Sequence, residues 1–401
     1  MKFTSTLAGL VLLGTVAASP LSSPDDAGLV ARTAKCQWKD KQCCAHGKDD
    51  CNGDEYKSGS DHYGYRHTIY VKSHKSIQRA IDKASSGDRI VVEAGIYAEQ
   101  LTIDKDGIEL IGKRAVLVPP KKAVKNRCSG LSGPKTEAGI CVTGKGVKLA
   151  PFAVEHRKVL SVARPVEDVS VTGFEVRKFS GINIAIVGAK NAHITKNKLV
   201  DGGKYGSLTA GSYKTLISDN EVSAAALSGS IGVCMDNFSD VLITKNHVSN
   251  YGVGLCVQTD GAEVQYNKVK NCCVAVYVDP GVNGVKIRHN YIGQSNPQCP
   301  GASGIILDGA VDTKVSDNII EGQKNKASGI FVSDDECPQT GPSVSLSCLV
   351  LKRKAVASDN VIIRNTFRNN DFDVFVNTTA KDNVVKCNHC KTSFPANLCS
   401  K

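Results

Sequence analysis

The stretch His193-Ile194-Thr195-Lys196-Asn197-Lys198-Leu199 returns, with the same order of residue types, as Leu216-Ile217-Ser218-Asp219-Asn220-Glu221-Val222. Each copy places an apolar residue, two polar residues and an asparagine before a further apolar residue. Other copies centre on Asn246, Asn267, Asn290, Asn318, Asn365 and Asn388. Successive asparagines are 23, 26, 21, 23, 28, 47 and 23 residues apart. Self-similarity at such a period indicates a repeat architecture.

Each repeat carries short alternating apolar strands and offers no helical face, and it lacks the leucine-rich repeat pattern. The period therefore predicts a solenoid in which each repeat forms one coil of a parallel β-helix. The recurrent asparagine then falls at the same corner of every coil, where its amide can donate to one neighbour and accept from the other. We assign these asparagines a structural role. The gap of 47 residues is expected to hold two turns, with Ser328–Ser333 as one strand and Cys337–Ser358 as an inserted loop.

Residues 76–112 precede the repeats and follow a helix, turn and strand pattern. Ile77, Ala80, Ile81 and Ala84 share one face of a short helix, and a Gly87-Asp88 turn leads into an apolar strand. This series resembles the N-terminal cap and first coil of the pectin-lyase-like superfamily. The resemblance implies an all-β fold, a right-handed parallel β-helix over about residues 70–390, with a short N-terminal capping helix. It also implies a protein that binds or acts on an extracellular polysaccharide.

The signatures of single subfamilies are incomplete. Gly95-Ile96-Tyr97-Ala98-Glu99 resembles one motif of pectin methylesterases, and Asp334-Asp335 resembles the paired aspartates of polygalacturonases. The partner motifs of both families are absent, as is the arginine element of classical pectate lyases. Two classes of function stay open: a lyase or glycoside hydrolase acting on an acidic glycan such as pectin, and a non-catalytic glycan-binding or host-interaction protein on the same scaffold.

The N-terminal region predicts secretion. Residues 1–18 have the charged start, short apolar run and small-residue exit of a signal peptide, and 19–35 form a spacer or pro-segment. No later apolar run is long enough to span a membrane. Residues 36–69 are expected to form a Cys-rich cap, either a disulfide-tied cover over the open end of the solenoid or a small carbohydrate-binding module. Residues 391–401 form a C-terminal tail.

The chain has 16 cysteines, all after the predicted cleavage site, and a secreted chain keeps its thiols oxidised. Cys234 and Cys256 occupy matching positions on adjacent coils, which predicts a bridge between coils; stacking of two free thiols is the alternative. Cys387-Asn388-His389-Cys390 has the spacing of half a zinc site, without a visible second half. Asn237 and Asn377 begin N-glycosylation sequons.

The formal net charge is +11, and the basic residues are scattered rather than clustered. Aromatic residues make up only 5% of the chain, which argues against a nucleic-acid partner because stacking platforms are scarce. A mild basic excess suits an acidic glycan, although a solvated soluble surface explains it equally. We expect a monomer.

Reactive side chains on one outward sheet face give the candidate site. When the repeats are aligned on their asparagines, the same outward-facing position is occupied in successive repeats by Asp236, Gln258, Asp279, Asp308, Ser333 and Asn377. Asp279 and Asp308 would lie about 5 Å apart on adjacent coils, as an acid and nucleophile pair or as calcium ligands. Tyr277 is the expected proton donor or sugar-stacking surface. Arg288 is expected either to stand beside this pair and neutralise a uronic acid, or to be a solvent-facing strand residue.

A structural role in turns also explains the same two aspartates, because Asp279-Pro280 and Asp308-Gly309 are dipeptides typical of turns. Should the site lie elsewhere, the next candidates are the Cys-rich cap with His62 and His67, and the Asp334-Asp335 loop.

Overall fold

The computed structural model describes residues 67–341 and 343–399. The predicted signal peptide, the spacer, His62 and all four cysteines of the predicted cap lie outside the described residues. Within the described part, no helix is long and apolar enough to cross a membrane.

The described chain consists mainly of short strands, with two short helices. The helices are α1 (Ile77–Lys83) and α2 (Leu346–Leu351). The first strands are β1 (Thr68–Val71), β2 (Arg89–Val92), β3 (Gly95–Ala98), β4 (Leu101–Ile103), β5 (Glu109–Val118), β6 (Ala138–Thr143), β7 (Lys148–Leu149), β8 (Val159–Ser161), β9 (Val166–Glu167), β10 (Ser170–Arg177), β11 (Ile182–Val187), β12 (Ala189–Lys190), β13 (His193–Thr195), β14 (Lys198–Val200), β15 (Tyr205–Ala210) and β16 (Thr215–Ser218). The remaining strands are β17 (Glu221–Asp236), β18 (Val241–Thr244), β19 (His247–Val257), β20 (Glu263–Gln265), β21 (Lys268–Lys270), β22 (Val274–Val278), β23 (Lys286–Arg288), β24 (Tyr291–Ile292), β25 (Ser303–Asp308), β26 (Lys314–Ser316), β27 (Ile319–Glu321), β28 (Ser328–Ser333), β29 (Val361–Ile363), β30 (Thr366–Arg368), β31 (Phe372–Asn377), β32 (Val384–Lys386) and β33 (Ser393–Phe394).

Most of these strands stack into three parallel sheets, because each coil contributes one strand to each sheet; β7 with β8, and β9 with β12, form separate two-stranded sheets. We call the sheet that runs through β6, β11, β15, β22, β25, β28, β31 and β33 the site sheet. A second sheet runs from β1 through β13, β20, β23 and β26 to β32, and a third runs from β3 through β14, β21, β24 and β27 to β30. The predicted right-handed parallel β-helix is confirmed.

The corner between the second and third sheets explains the repeated asparagine. The residue before each asparagine adopts the left-handed conformation, as in Lys196 with φ 55° and His289 with φ 56°. That single residue turns the chain sharply, and the asparagine that follows it in the sequence is buried. Asn267 donates from Nδ2 to Oδ1 of Asn290 at 3.1 Å, and its own Oδ1 accepts from the Asn246 backbone N–H at 3.0 Å. The predicted asparagine ladder is confirmed along its length.

A column of small residues lines the site sheet, and it accounts for the apolar-glycine-apolar pattern of strands such as Ile231-Gly232-Val233. A Cβ atom at Gly232 would lie 2.6 Å from the carbonyl oxygen of Gly254 and 2.6 Å from Cγ1 of Val248. Successive coils approach too closely here for a side chain. After this point the strand alternates, so that Val233 and Met235 enter the core while Cys234 and Asp236 lie on the outer side.

The 47-residue gap between Asn318 and Asn365 contains one coil, so the expectation of two turns is wrong. β26 pairs directly with β29, and Asn318 Nδ2 donates to Asn365 Oδ1 at 2.9 Å. The extra length is an insertion after β28, as predicted. We call residues 334–357 the insert; it contains α2 and the Cys337–Cys348 disulfide.

The predicted capping helix is confirmed as α1, whose buried residues are Ile77, Ala80 and Ile81. Ser76 caps it by accepting from the Arg79 backbone N–H. The Glu99 carboxylate accepts from the Ile77 and Gln78 backbone N–H groups at 2.9 and 3.1 Å. The segment that resembles a pectin methylesterase motif thus serves to hold the helix N-terminus.

Cysteine pairing is partly as predicted. The described disulfides are Cys128–Cys141, Cys273–Cys299, Cys337–Cys348 and Cys390–Cys399, and Cys387 is also disulfide-bonded. The predicted Cys234–Cys256 bridge is wrong, as is the expectation that every cysteine is oxidised, because Cys234, Cys256 and Cys272 are buried free thiols. Cys234 and Cys256 are in register on adjacent strands, so the alternative of two stacked free thiols describes this pair.

Candidate active site on the outer face of the site sheet

The predicted column of outward-facing residues on the site sheet is present, but two loops cover part of it. Residues 150–158, which we call the upper loop, reach Asp236 and Gln258, and the insert reaches Asp279. Asp279 is 2% exposed and Asp308 is 6% exposed. Both carboxyl groups therefore lie in a poorly solvated environment, where the charged form is disfavoured.

Asp308 is the centre of a compact polar cluster. The Tyr277 hydroxyl donates to its Oδ2, and the Ser333 hydroxyl donates to its Oδ1 at 3.1 Å. Burial raises the pKa of Asp308 to about 7, and contact with the Asp335 carboxyl adds to that rise while the Tyr277 hydrogen bond opposes it. A carboxyl with such a pKa can carry a proton near neutral pH and release it during a reaction.

Asp279 has a different environment. Its Oδ2 accepts from the Gln258 side-chain amide at 2.8 Å and from the Ser347 hydroxyl at 2.9 Å. Burial raises its pKa well above the usual range, and the nearby Glu155 carboxylate acts in the same direction. Asp279 therefore lies beneath α2 and is tied to it, whereas the partners of Asp308, Tyr277 and Asp335, are half-buried.

Asp236 lies under the upper loop. Lys158 donates to its Oδ1, and the His156 ring Nε2 lies 3.1 Å from its Oδ2. The His156 Nδ1 lies 3.0 Å from the Tyr205 hydroxyl, and the ring is 0% exposed. The two ring nitrogens of His156 thus link the Asp236 carboxylate to the Tyr205 hydroxyl. The cluster fastens the upper loop to the sheet.

The structure brings together Asp279, Asp308 and Tyr277 but not Arg288. Arg288 lies at the end of β23 in the second sheet, where its guanidinium donates to Gln265 at 2.8 Å and to Glu263 at 3.1 Å. The expectation that Arg288 stands beside the aspartates is therefore wrong. Strand β23 begins several residues after Asp279, and the intervening turn directs it to another face.

The suggested calcium site at Asp279 and Asp308 stays a prediction. Each Asp308 oxygen accepts one hydroxyl hydrogen bond, and Asp279 Oδ2 accepts from an amide and a hydroxyl. A zinc site at Cys387 and Cys390 is wrong, since both thiols are disulfide-bonded.

The two sequons differ in the folded chain. Asn237 is 6% exposed; its amide donates to the Thr215 hydroxyl at 2.6 Å and accepts from the Thr209 hydroxyl at 2.6 Å. A glycan on that nitrogen is incompatible with this packing, so the expectation of glycosylation at Asn237 is wrong. Asn377 is exposed at the end of β31.

Sequence reasoning missed the residues that cover the site: Glu155, His156, Lys158 and Ser347. Their partners lie 103, 80, 78 and 68 residues away in the chain. They belong to segments that interrupt the repeats, and the repeat period does not predict where such segments lie in the fold. The only signal available was their position in an irregular stretch rich in charged residues.

Two family models match parts of the chain. The model described as right handed beta helix region matches residues 231–394, and the model of the periplasmic copper-binding protein NosD matches 154–299. A search among curated proteins finds no significant relative.

Solved structures with the same architecture include two A-modules of mannuronan C-5 epimerases from Azotobacter vinelandii. Both are 16% identical; they have TM-scores of 0.53 and 0.51, over 79% of this chain and 91% and 92% of theirs. The tailspike protein of an E. coli bacteriophage, in complex with a pentasaccharide, has a TM-score of 0.52 at 11% identity, over 80% of this chain and 57% of that one. These similarities confirm the resemblance at the level of fold.

Proposed function

We propose that this right-handed parallel β-helix protein is a secreted enzyme that cleaves an acidic polysaccharide, such as pectin, by hydrolysis. The observation that carries the proposal is Asp308, a buried carboxyl with a pKa of about 7 that contacts a second carboxyl, Asp335, and the Tyr277 hydroxyl. A carboxyl with a strongly raised pKa in a covered site is typical of acid-base catalysis. Two proteins of similar fold, a mannuronan C-5 epimerase and a tailspike protein in complex with a pentasaccharide, support a glycan as substrate.

In this mechanism Asp308 is the general acid. Its proton passes to the glycosidic oxygen as the bond to the anomeric carbon breaks, and the Asp335 carboxylate stabilises the positive charge that develops on the sugar or activates the incoming water. Tyr277 and Ser333 hold the Asp308 carboxylate after it has lost its proton, because both hydroxyls donate to it. Asp279 is too deeply held beneath Ser347 to meet a sugar, so we place it among the supporting residues.

Hydrolysis is favoured over elimination by the position of Arg288. A lyase must neutralise the uronate carboxylate and remove a proton from the carbon beside it. Arg288, the cation expected for that task, faces another sheet and is engaged by Glu263. Among the described residues that contact Asp308 directly, the side chains are carboxyl and hydroxyl groups, which are suited to proton transfer at a glycosidic oxygen.

The test is to incubate the purified protein with a panel of polysaccharides and to measure both reducing ends and ultraviolet-absorbing unsaturated ends. We expect reducing ends without unsaturation, and a fall in kcat of about 10²–10⁴-fold in Asp308→Asn. Asp317→Asn is the matched control, because Asp317 pairs with Arg364 at an exposed corner. Unsaturated products would instead identify a lyase, and equal activity in Asp308→Asn would place the site elsewhere.

A second candidate is a non-catalytic glycan-binding or host-interaction protein. The observation that favours it is the cover over the column, since Asp236 and Asp279 are each only 2% exposed. Binding of a polysaccharide without any product, in a protein whose Asp308→Asn variant binds equally well, would support this candidate.

Secretion belongs to the same proposal. The disulfides of the described chain fit an oxidising compartment, either extracellular or periplasmic. N-terminal sequencing of the protein recovered from culture medium would test it, and we expect cleavage after residue 18.

A further inference from the structure

An aromatic patch lies on the outer face of the last coils. Phe375 is at its centre, with ring centroids 5.5 Å from Phe331, 5.7 Å from Phe372 and 4.7 Å from Phe394. Phe372 is 39% exposed and Phe394 is 46% exposed. We call these four residues the Phe375 patch. Contiguous exposed aromatic surface marks a contact site, because leaving it in water is unfavourable.

Asn377 stands on the same side of the same strand. Val374 and Val376 enter the core, so the alternation of β31 puts Phe375 and Asn377 together on the outer face. The two residues are about 7 Å apart along the strand. Asn377-Thr378-Thr379 is an N-glycosylation sequon, and the Asn377 side chain is exposed. A sugar attached to Asn377 would start within reach of the Phe375 ring.

We propose that Asn377 carries an N-linked glycan and that its first sugar ring covers Phe375 and Phe394. The donor is a lipid diphosphate-linked oligosaccharide. The Asn377 Nδ2 forms a bond to the anomeric carbon of the first N-acetylglucosamine, the bond from that carbon to the diphosphate oxygen breaks, and the amide proton leaves with the lipid diphosphate. This inference rests on passage through a eukaryotic secretory route, and it does not depend on the enzymatic part of the proposed function.

Stacking gives the glycan a structural role. One face of a pyranose ring presents C–H groups, and the face of an aromatic ring carries the negative part of its quadrupole, so the two surfaces attract each other. The contact also removes apolar area of Phe375 and Phe394 from water.

The experiment uses the full chain secreted from a eukaryotic host behind a host leader, so that neither its own signal nor its activity affects the result. Peptide mass mapping should find the glycan on Asn377 and none on Asn237. An endoglycosidase that leaves one N-acetylglucosamine should preserve Tm, whereas Asn377→Gln should lower it. Phe375→Ala should remove this difference, because the sugar then has no Phe375 ring to cover and the glycosylated and unglycosylated forms of this variant should have the same Tm.

Tyr266→Ala provides the matched control. Tyr266 is 53% exposed and stacks on His289 at another corner, so the stabilisation by the glycan should persist in this variant. An unoccupied Asn377 in the secreted protein would overturn the proposal. It would also be overturned if loss of the glycan lowered Tm equally in the wild type and in Phe375→Ala, or if trimming to one sugar lowered Tm as much as complete removal.

Discussion

Asp308 illustrates how position in the coil changes the chemistry of a single residue. In the sequence, Asp308 precedes a glycine, as in an ordinary turn. It became a candidate site residue only because it lies in the column of outward-facing positions. The structure adds burial and the contact with Asp335, which raise its pKa, and the Tyr277 hydrogen bond, which lowers it. None of these could be read from the dipeptide, because the contacts come from neighbouring coils 27 to 31 residues away in the chain.

The Asp308 carboxyl should make stability depend on pH. Its pKa is about 7 in the folded chain and about 3.9 in an unfolded one, so the folded state binds the proton more tightly. The resulting stabilisation is complete below about pH 4 and is lost as pH rises to about 7. Wild type should therefore lose up to a few kcal/mol relative to Asp308→Asn across this window. Urea unfolding at several pH values measures the difference.

A constant difference between the two proteins over this range of pH would show that Asp308 is ionised throughout. Such a result would also remove the general acid from the proposed mechanism.

The asparagine ladder gives a second prediction for a single residue. Asn267→Ala removes an amide that satisfies the Asn246 backbone N–H and the Ile243 carbonyl. Loss of these buried partners should lower the free energy of unfolding by about 1–3 kcal/mol. Lys286→Ala, which removes only an exposed ion pair with Glu263, should change it by less than about 1 kcal/mol. Similar losses in both variants would contradict a structural role for the ladder.

Among the elements, the strands were predictable and the covering segments were not. Strand positions follow from alternation and from the asparagine period, both of which are visible in one sequence. The upper loop and the insert interrupt that period, so their contacts with Asp236 and Asp279 depend on chain paths that no repeat specifies. Arg288 was misplaced for a related reason: alternation within one strand does not say which of three sheets the next strand joins.

The glycine column gives a prediction at the scale of the strand. Gly232→Ala puts a methyl group 2.6 Å from the Gly254 carbonyl oxygen of the next coil, so the two coils must separate. We expect a loss of about 1–3 kcal/mol in the free energy of unfolding. Gly252→Ala is the control, because the nearest atom to its Cβ lies at 3.4 Å and the backbone has no positive φ. Equal tolerance of both changes would show that the coils can move apart freely.

At the scale of the whole molecule, we expect the described coils to be stabilised more by stacking on one another than by local disulfides. The four bridges with both cysteines in the described residues close short loops, with sequence separations of 9 to 26 residues. In a solenoid each coil contacts only its neighbours, so loss of a local bridge should loosen its own segment and leave the remaining coils folded.

Mild reduction should therefore make the protein sensitive to protease first within the segments that the bridges close, 128–141, 273–299, 334–357 and 390–399, while residues 170–270 stay resistant. In the oxidised, denatured protein, alkylation should label Cys234, Cys256 and Cys272. Peptide mass spectrometry reads both results. Cleavage distributed along the coils, or recovery of a Cys234–Cys256 cross-linked peptide, would contradict this view.

The insert between β28 and β29 has a consequence for how such a protein changes over evolution. A segment of 24 residues enters the chain, yet Asn318 still meets Asn365 at 2.9 Å and the strands on either side remain in register. The asparagine that follows the insert thus brings the next strands back into register with the preceding coil. New loops can be grafted between coils without disturbing those already in place, and a scaffold with this property can acquire a new surface specificity by one insertion at a time.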